Sequence, residues 1–126
     1  MKQIINTPLA PAPIGPYSQA VKVGHTVFCS GQIAINPATG ELITDTIESE
    51  THQVMKNISE VLKAAGGDLS HVVKTSIFLS DMGLFAHVNG IYSTYFTSDF
   101  PARETVEVSC LPKNVNVEIS VIAVVD

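Results

Sequence analysis

Hydrophobic and polar residues alternate most clearly in the last quarter of the chain. Between Phe100 and Val125 two strand-like runs flank Leu111-Pro112-Lys113-Asn114, whose Pro, Lys and Asn read as a turn. Side chains alternate faces along a strand, so in the first run Val106, Val108 and Cys110 share one face, opposite Arg103, Thr105, Glu107 and Ser109. In the second run Val115, Val117, Ile119, Val121 and Ala123 lie opposite Asn116, Glu118 and Ser120. Arg103 and Glu118 are thus polar residues set in otherwise apolar β-structure. Read as a simple hairpin centred on Pro112-Lys113, the runs place Glu118 opposite Glu107, four residues from Arg103. That is about 13 Å along the sheet, too far for a direct salt bridge but room for a small anion and a water. The pattern alone fits a solvated sheet face with scattered charges equally well.

Upstream, Lys2–Ile5 reads as a short opening strand. Pro8, Pro11, Pro13 and Pro16 then force an irregular extended path to Gly15-Pro16-Tyr17-Ser18, stiff enough to hold Tyr17 over a neighbouring surface. Gln19–Val23, the turn Gly24-His25 and Thr26–Ile33 predict a hairpin. Gly31 lies inside its second strand, where glycine implies a bulge or a close backbone approach, met by a ligand touching the backbone or by tight packing. A helix follows, with Asp45 as cap and Glu48 three residues later, an apolar stripe from Ile47 through Val54, Met55, Ile58, Val61 and Leu62, and a stop at Gly66-Gly67. Val72–Leu79 is strand-like. A second helix carries Leu84, Phe85, Val88, Ile91, Tyr92, Tyr95 and Phe96 at helical spacing, with Asn89 among them. Strands, helix, strand, helix and two strands make an α+β layer, a mixed sheet with the helices on one face.

Length and charge narrow the class. The 126 residues suit a single domain spanning 1–126. With 45% hydrophobic and only 15% charged residues, the chain is apolar for a small monomer, which implies a subunit interface. The net charge of −5, with the basic residues scattered, shows no stripe for nucleic acid. The N-terminus has no apolar leader and no run is long enough to span a membrane, so a cytoplasmic location is the expectation.

Familiar reactive constellations are missing. Cys29 and Cys110 both fall in predicted strands, where buried free thiols are common, and their spacing proposes no disulfide or CxxC pair. His25, His52, His71 and His87 include no helical i, i+4 pair and no completing acid or thiol, so no metal site is expected. Nucleotide-binding glycine patterns and nucleophile elbows are likewise missing.

Motifs in a fixed order carry more. Gly15-Pro16-Tyr17-Ser18, Ser30-Gly31-Gln32-Ile33, Asn36-Pro37 with Thr39-Gly40, Pro101-Ala102-Arg103 through Val106-Glu107-Val108, Leu111-Pro112-Lys113 and Val117-Glu118-Ile119 together closely resemble the RidA/YjgF family of reactive-intermediate deaminases. The match spans essentially the whole chain. It implies a chorismate-mutase-like (bacillus-type) α+β subunit, a homotrimer with three sites in the clefts between subunits, and no metal or organic cofactor. The activity implied is hydrolysis of 2-aminoacrylate and related 2-imino acids to 2-oxo acids and ammonia. By position, Arg103 resembles the arginine that holds the substrate carboxylate, its planar fork suited to two parallel hydrogen bonds. Glu118 resembles the acid that positions and activates water. Tyr17, Ser30, Gly31 and Asn89 match pocket-lining positions. Thr105 stands where many members carry Cys, and there the backbone carbonyl is expected to matter. Glu104 departs from the small residue usual after the arginine; alternation points it away from Arg103. The same resemblance leaves a small-carboxylate-binding regulator, an endoribonuclease or translation inhibitor, and a chaperone as alternatives.

Overall fold

The alternating runs become strands in the computed structural model, which describes residues 1–126. They are β1 (Lys2–Ile5), β2 (Ala20–Val23), β3 (Thr26–Gln32), β4 (Val72–Leu79), β5 (Ala102–Glu107) and β6 (Val117–Val124), with helices α1 (Ile47–Ala64) and α2 (Phe85–Tyr92). The expected hairpin forms, β2 pairing antiparallel with β3 around a left-handed Gly24. The expected α+β arrangement, a mixed sheet with two helices on one face, is also present.

The C-terminal half is where the pattern misleads. Sheet order is β1-β2-β3-β6-β4-β5, so β4 lies between the two runs read as a hairpin. It pairs antiparallel with β6 and parallel with β5, and the α2 segment supplies the crossover that a parallel pair requires. The Pro112–Asn114 turn therefore does not close a two-strand ribbon. It carries the chain past β4, and the first run ends at Glu107, leaving Ser109 and Cys110 exposed and irregular. Cys110 is accordingly not a buried strand thiol, whereas Cys29 is buried, and burial raises its thiol pKa to about 12.

Helix caps show a smaller correction. Thr46, not Asp45, caps α1, its hydroxyl accepting from Ser49 N–H at 3.0 Å. Glu48 stays exposed, and Glu50 turns inward instead. The C-terminus stops as expected: Gly66 adopts φ +91°, and Gly67 N–H reaches back to Leu62 carbonyl at 2.9 Å. The second helix is shorter than its apolar spacing suggested, because 3-10 turns occupy Met82–Leu84 and Ser93–Tyr95 on either side of α2.

Val27, Ile77, Ile119, Val121 and Ala123 of the sheet pack against Val54, Met55, Ile58, Val61 and Leu62 of α1 to form the core. The opposite face of the sheet carries no helix. A cross-strand row there reads Ile4, Val21, Phe28, Ile122, Lys74. Ile4, Val23, Phe28, Val106 and Val124 on this face are each 43–53% exposed, a patch too apolar for a face meant for water.

Three buried polar side chains hold the irregular segments to this frame. Gln19 receives Thr7 N–H at 2.7 Å and donates to the carbonyls of Thr7, Ala10 and Pro11, pinning the proline-rich stretch. Asn57 donates to the Ile33 and Ile35 carbonyls at 3.1 and 3.0 Å. Glu50, fully buried, accepts from Asn116 N–H at 2.7 Å, Asn116 Nδ2 at 2.8 Å and Val117 N–H at 3.2 Å. Its place in the first turn of α1 also sets a negative charge at the positive end of the helix. Glu50→Ala strands those donors in the interior and is expected to destabilise the fold by about 3 kcal/mol. Urea denaturation at fixed protein concentration checks this; Glu50→Gln, which keeps one acceptor, should recover part of the loss.

Candidate active site

The residues singled out by motif fall into two groups on opposite faces of the sheet. On β6, Val117, Ile119 and Val121 face α1, so Glu118 between them points to the open face. On β5, Arg103 pairs with Thr75, a buried residue on the helix side, and its side chain lies among residues of α2. Glu118 pairs with Phe78, three residues along β4 from Thr75 and one strand further from β5. Two strand spacings and three residues separate the two α-carbons by about 14 Å, with the sheet itself between the side chains. One chain therefore cannot bring Arg103 and Glu118 onto a common small molecule, and the hairpin picture of both anchors on one surface is corrected.

The first half-site is built by a bulge. Cys29 pairs with Val121 and Gln32 with Ile119, so Ser30 and Gly31 together oppose the single residue Ser120. A Cβ on Gly31 would lie 2.8 Å from the Glu118 carboxyl carbon, so a larger residue there would push the acid aside. The close approach is made by this side chain of the same chain. Ser30 Oγ donates to the Ser18 carbonyl at 2.6 Å, and its N–H to the Gln19 carbonyl at 2.9 Å, tying the bulge to the segment that carries Tyr17. Tyr17 is half exposed, its hydroxyl accepting from Ile14 N–H at 3.3 Å. Tyr17, Ser30, Gly31, Ile33, Lys113 and Glu118 are among the residues that line a cavity of about 420 Å³. Glu118 makes no hydrogen bond within the chain, and burial raises its pKa above the ordinary glutamate value. That is the state expected of a carboxylate held ready to take a proton.

The second half-site is electropositive. Arg103 donates through Nη1 to Asn89 Oδ1, and its guanidinium carbon lies 5.3 and 5.5 Å from the ring centroids of Phe85 and Tyr92. Cation–π contacts of this kind hold the planar fork in place while leaving most of its five N–H donors free. It has no acidic partner in the chain. Glu104 points away, as alternation requires, accepting from Ser76 Oγ at 2.9 Å and pairing with Lys74 at 3.6 Å. Asn89 thus orients Arg103, and Tyr92, itself anchored to Thr75 at 3.0 Å, supports it from below. Thr105, two residues on, has its hydroxyl buried without a hydrogen-bond partner, a polar atom in a place where an apolar or sulfur-bearing side chain would fit as well.

Pattern reading missed the supporting set: Phe85 and Tyr92 passed as ordinary core residues, Lys113 as a turn residue. Only the proximity of Lys113 to Pro112 in a motif could have marked it.

Similarity to known proteins runs along the whole chain. The model of the family described as Endoribonuclease L-PSP matches residues 7–125. The 2-iminobutanoate/2-iminopropanoate deaminase of Mus musculus is 48% identical over 124 residues, 98% of this chain and 92% of that one. The protein of the same name from Dermatophagoides farinae is 50% identical over 125 residues, 99% of this chain and 98% of that one. Among solved structures, YyfA of the conserved Rid protein family from Yersinia pestis superposes with a TM-score of 0.97 at 51% identity, covering 99% of this chain and all of that one. The motif resemblance is therefore borne out, and the chain belongs to the endoribonuclease L-PSP family, the group that includes the RidA/YjgF proteins.

Proposed function

We propose that this protein hydrolyses reactive 2-imino acids, and their 2-aminoacrylate precursors, to 2-oxo acids and ammonia, at sites assembled between three copies of the chain. The observation that carries the reading is a pair of half-sites, each with one charged group that has no counter-ion in its own chain. An arginine fork on one copy and a partly buried carboxylate on the next complement each other across a cleft. The open sheet face, with Phe28, Ile122 and Val124 unburied, is the surface through which copies would pack. The deaminase names of relatives about half identical over the full chain support the same chemistry.

The steps follow from the groups. Arg103, oriented by Asn89, holds the substrate carboxylate in a bidentate grip. Glu118 accepts a proton from water as the water oxygen bonds to C2 of the protonated imine, giving a neutral carbinolamine. Glu118 then returns that proton to the carbinolamine nitrogen, the C–N bond breaks, and ammonia leaves as the hydroxyl gives its proton back to Glu118 and the 2-oxo group forms. Tyr17 and the Gly31 bulge shape the pocket wall. The acidic balance and scattered basic residues count against ribonuclease activity, whatever the family's name.

A pyridoxal-phosphate-dependent threonine dehydratase acting on threonine or serine supplies the imine, and semicarbazide trapping reports how much survives. The wild type should accelerate 2-oxo acid release over the spontaneous rate, and Arg103→Ala should not; equal rates for wild type and buffer would sink the reading. Refolding an equal mixture of Arg103→Ala and Glu118→Gln chains should restore about a quarter of wild-type activity, because random assembly leaves that share of clefts with both groups intact. No recovery would overturn the cleft shared between copies.

The acid limb of kcat/KM should fall above the ordinary glutamate value and vanish in Glu118→Gln. The sign for stability is opposite. A carboxyl whose folded pKa is raised favours its protonated form, so the destabilisation is absent below the unfolded value and fully present above the folded one. At neutral pH Glu118→Gln should therefore melt higher than wild type while turning over less.

A further inference from the structure

We propose that Lys113 is the entry cation of the Glu118 cavity, drawing a carboxylate-bearing substrate past the catalytic acid. The inference rests on the deaminase reading and adds a residue to it. Thirteen residues line this cavity, and only two bear formally charged side chains, Glu118 and Lys113. The substrate is an anion, the chain carries −5, and the acid in the cavity makes neither an ion pair nor a hydrogen bond in its own chain. In the assembled cleft Arg103 of the adjoining copy grips the carboxylate; on the Glu118 wall itself, Lys113 is the cation that offsets the acid.

The backbone gives an independent reason to single out this lysine. Lys113 has φ 55° and ψ 22°, and Asn114 follows with φ 55°. Asparagine tolerates the left-handed region, but lysine gains nothing from it. Two consecutive residues are kept there because the loop is clamped at both ends. Leu111 and Val115 are buried, Asn114 N–H bonds to the Leu111 carbonyl at 2.9 Å, and Val115 N–H to the Pro112 carbonyl at 3.3 Å. Beyond them Glu50 fixes Asn116 and Val117, one residue before the acid. A conformation unfavourable for its residue and determined from both sides marks a side chain that is placed. Lys113 is exposed on the cavity wall whereas Glu118 is half-buried, so the lysine is the more accessible of the two charged groups to an incoming anion.

The test uses Lys113→Asn, which removes the charge and suits the left-handed backbone, and Lys113→Arg, which keeps the charge. Affinity is measured by calorimetry for pyruvate and for its neutral amide, and kcat/KM for 2-iminopropanoate is followed from low to high salt. Lys113→Asn should weaken pyruvate binding and raise KM by about three- to tenfold at low ionic strength, with kcat little changed. Its salt dependence should flatten, Lys113→Arg should behave as wild type, and affinity for the amide should not move. If pyruvate affinity and salt dependence in Lys113→Asn match wild type, or if the amide loses as much as pyruvate, the entry role is wrong. A wild type that turns over imines while Lys113→Asn is indistinguishable from it overturns this inference alone. A wild type that neither binds pyruvate nor hydrolyses imines overturns the deaminase reading with it.

Discussion

The position of β4 governs what this chain can do. Because it accepts β5 in parallel on one edge and β6 antiparallel on the other, Arg103 and Glu118 leave the sheet on opposite faces. A sheet is close to impermeable to side chains, so no rotamer change brings the two groups together in one subunit. Whatever requires both must recruit a second copy, and the unburied apolar row across the open face supplies a surface for it. The separation of the two charged groups thus follows from one strand insertion.

Around that frame, polar burial is used selectively. Gln19, Asn57 and Glu50 each anchor an irregular stretch, and each of those stretches reaches the cavity or its approach. A buried amide or carboxylate is tolerable only when its hydrogen bonds are satisfied, and here most of the partners are backbone groups of the irregular stretches. Glu118 is the exception, half-buried and without a hydrogen-bond partner in its own chain, and its pKa moves accordingly. The contrast between Glu50 and Glu118 separates a carboxylate tied into the fold from one left without a partner in its own chain.

Much of this was legible in the residues. Strict alternation located β6, helical spacing and Gly66-Gly67 located α1, and the glycine inside β3 announced a bulge. The hairpin expectation failed because adjacency in sequence says nothing about a strand inserted from forty residues upstream; turn chemistry at Pro112 is local, and pairing is not. The Asp45 cap failed since Asp45 and Thr46 are equally able caps, and the choice follows from which glutamate the tertiary structure draws inward. Arg103 and Glu118 stood out by pattern as polar residues within apolar runs, while Tyr17, Ser30, Asn89 and Thr105 owed their selection to family motifs. Gln19, Asn57 and Lys113 left no periodic trace, because their partners are backbone groups and cavities that exist only after folding.

The contact between Gly31 and Glu118 ties two positions 87 residues apart into one steric unit. The volume that a side chain at 31 would occupy already belongs to the acid. Replacing the glycine means displacing the carboxylate, and dispensing with the acid frees position 31 to vary. The width of the bulge at position 31 and the reach of the carboxylate are therefore two readings of one shared volume.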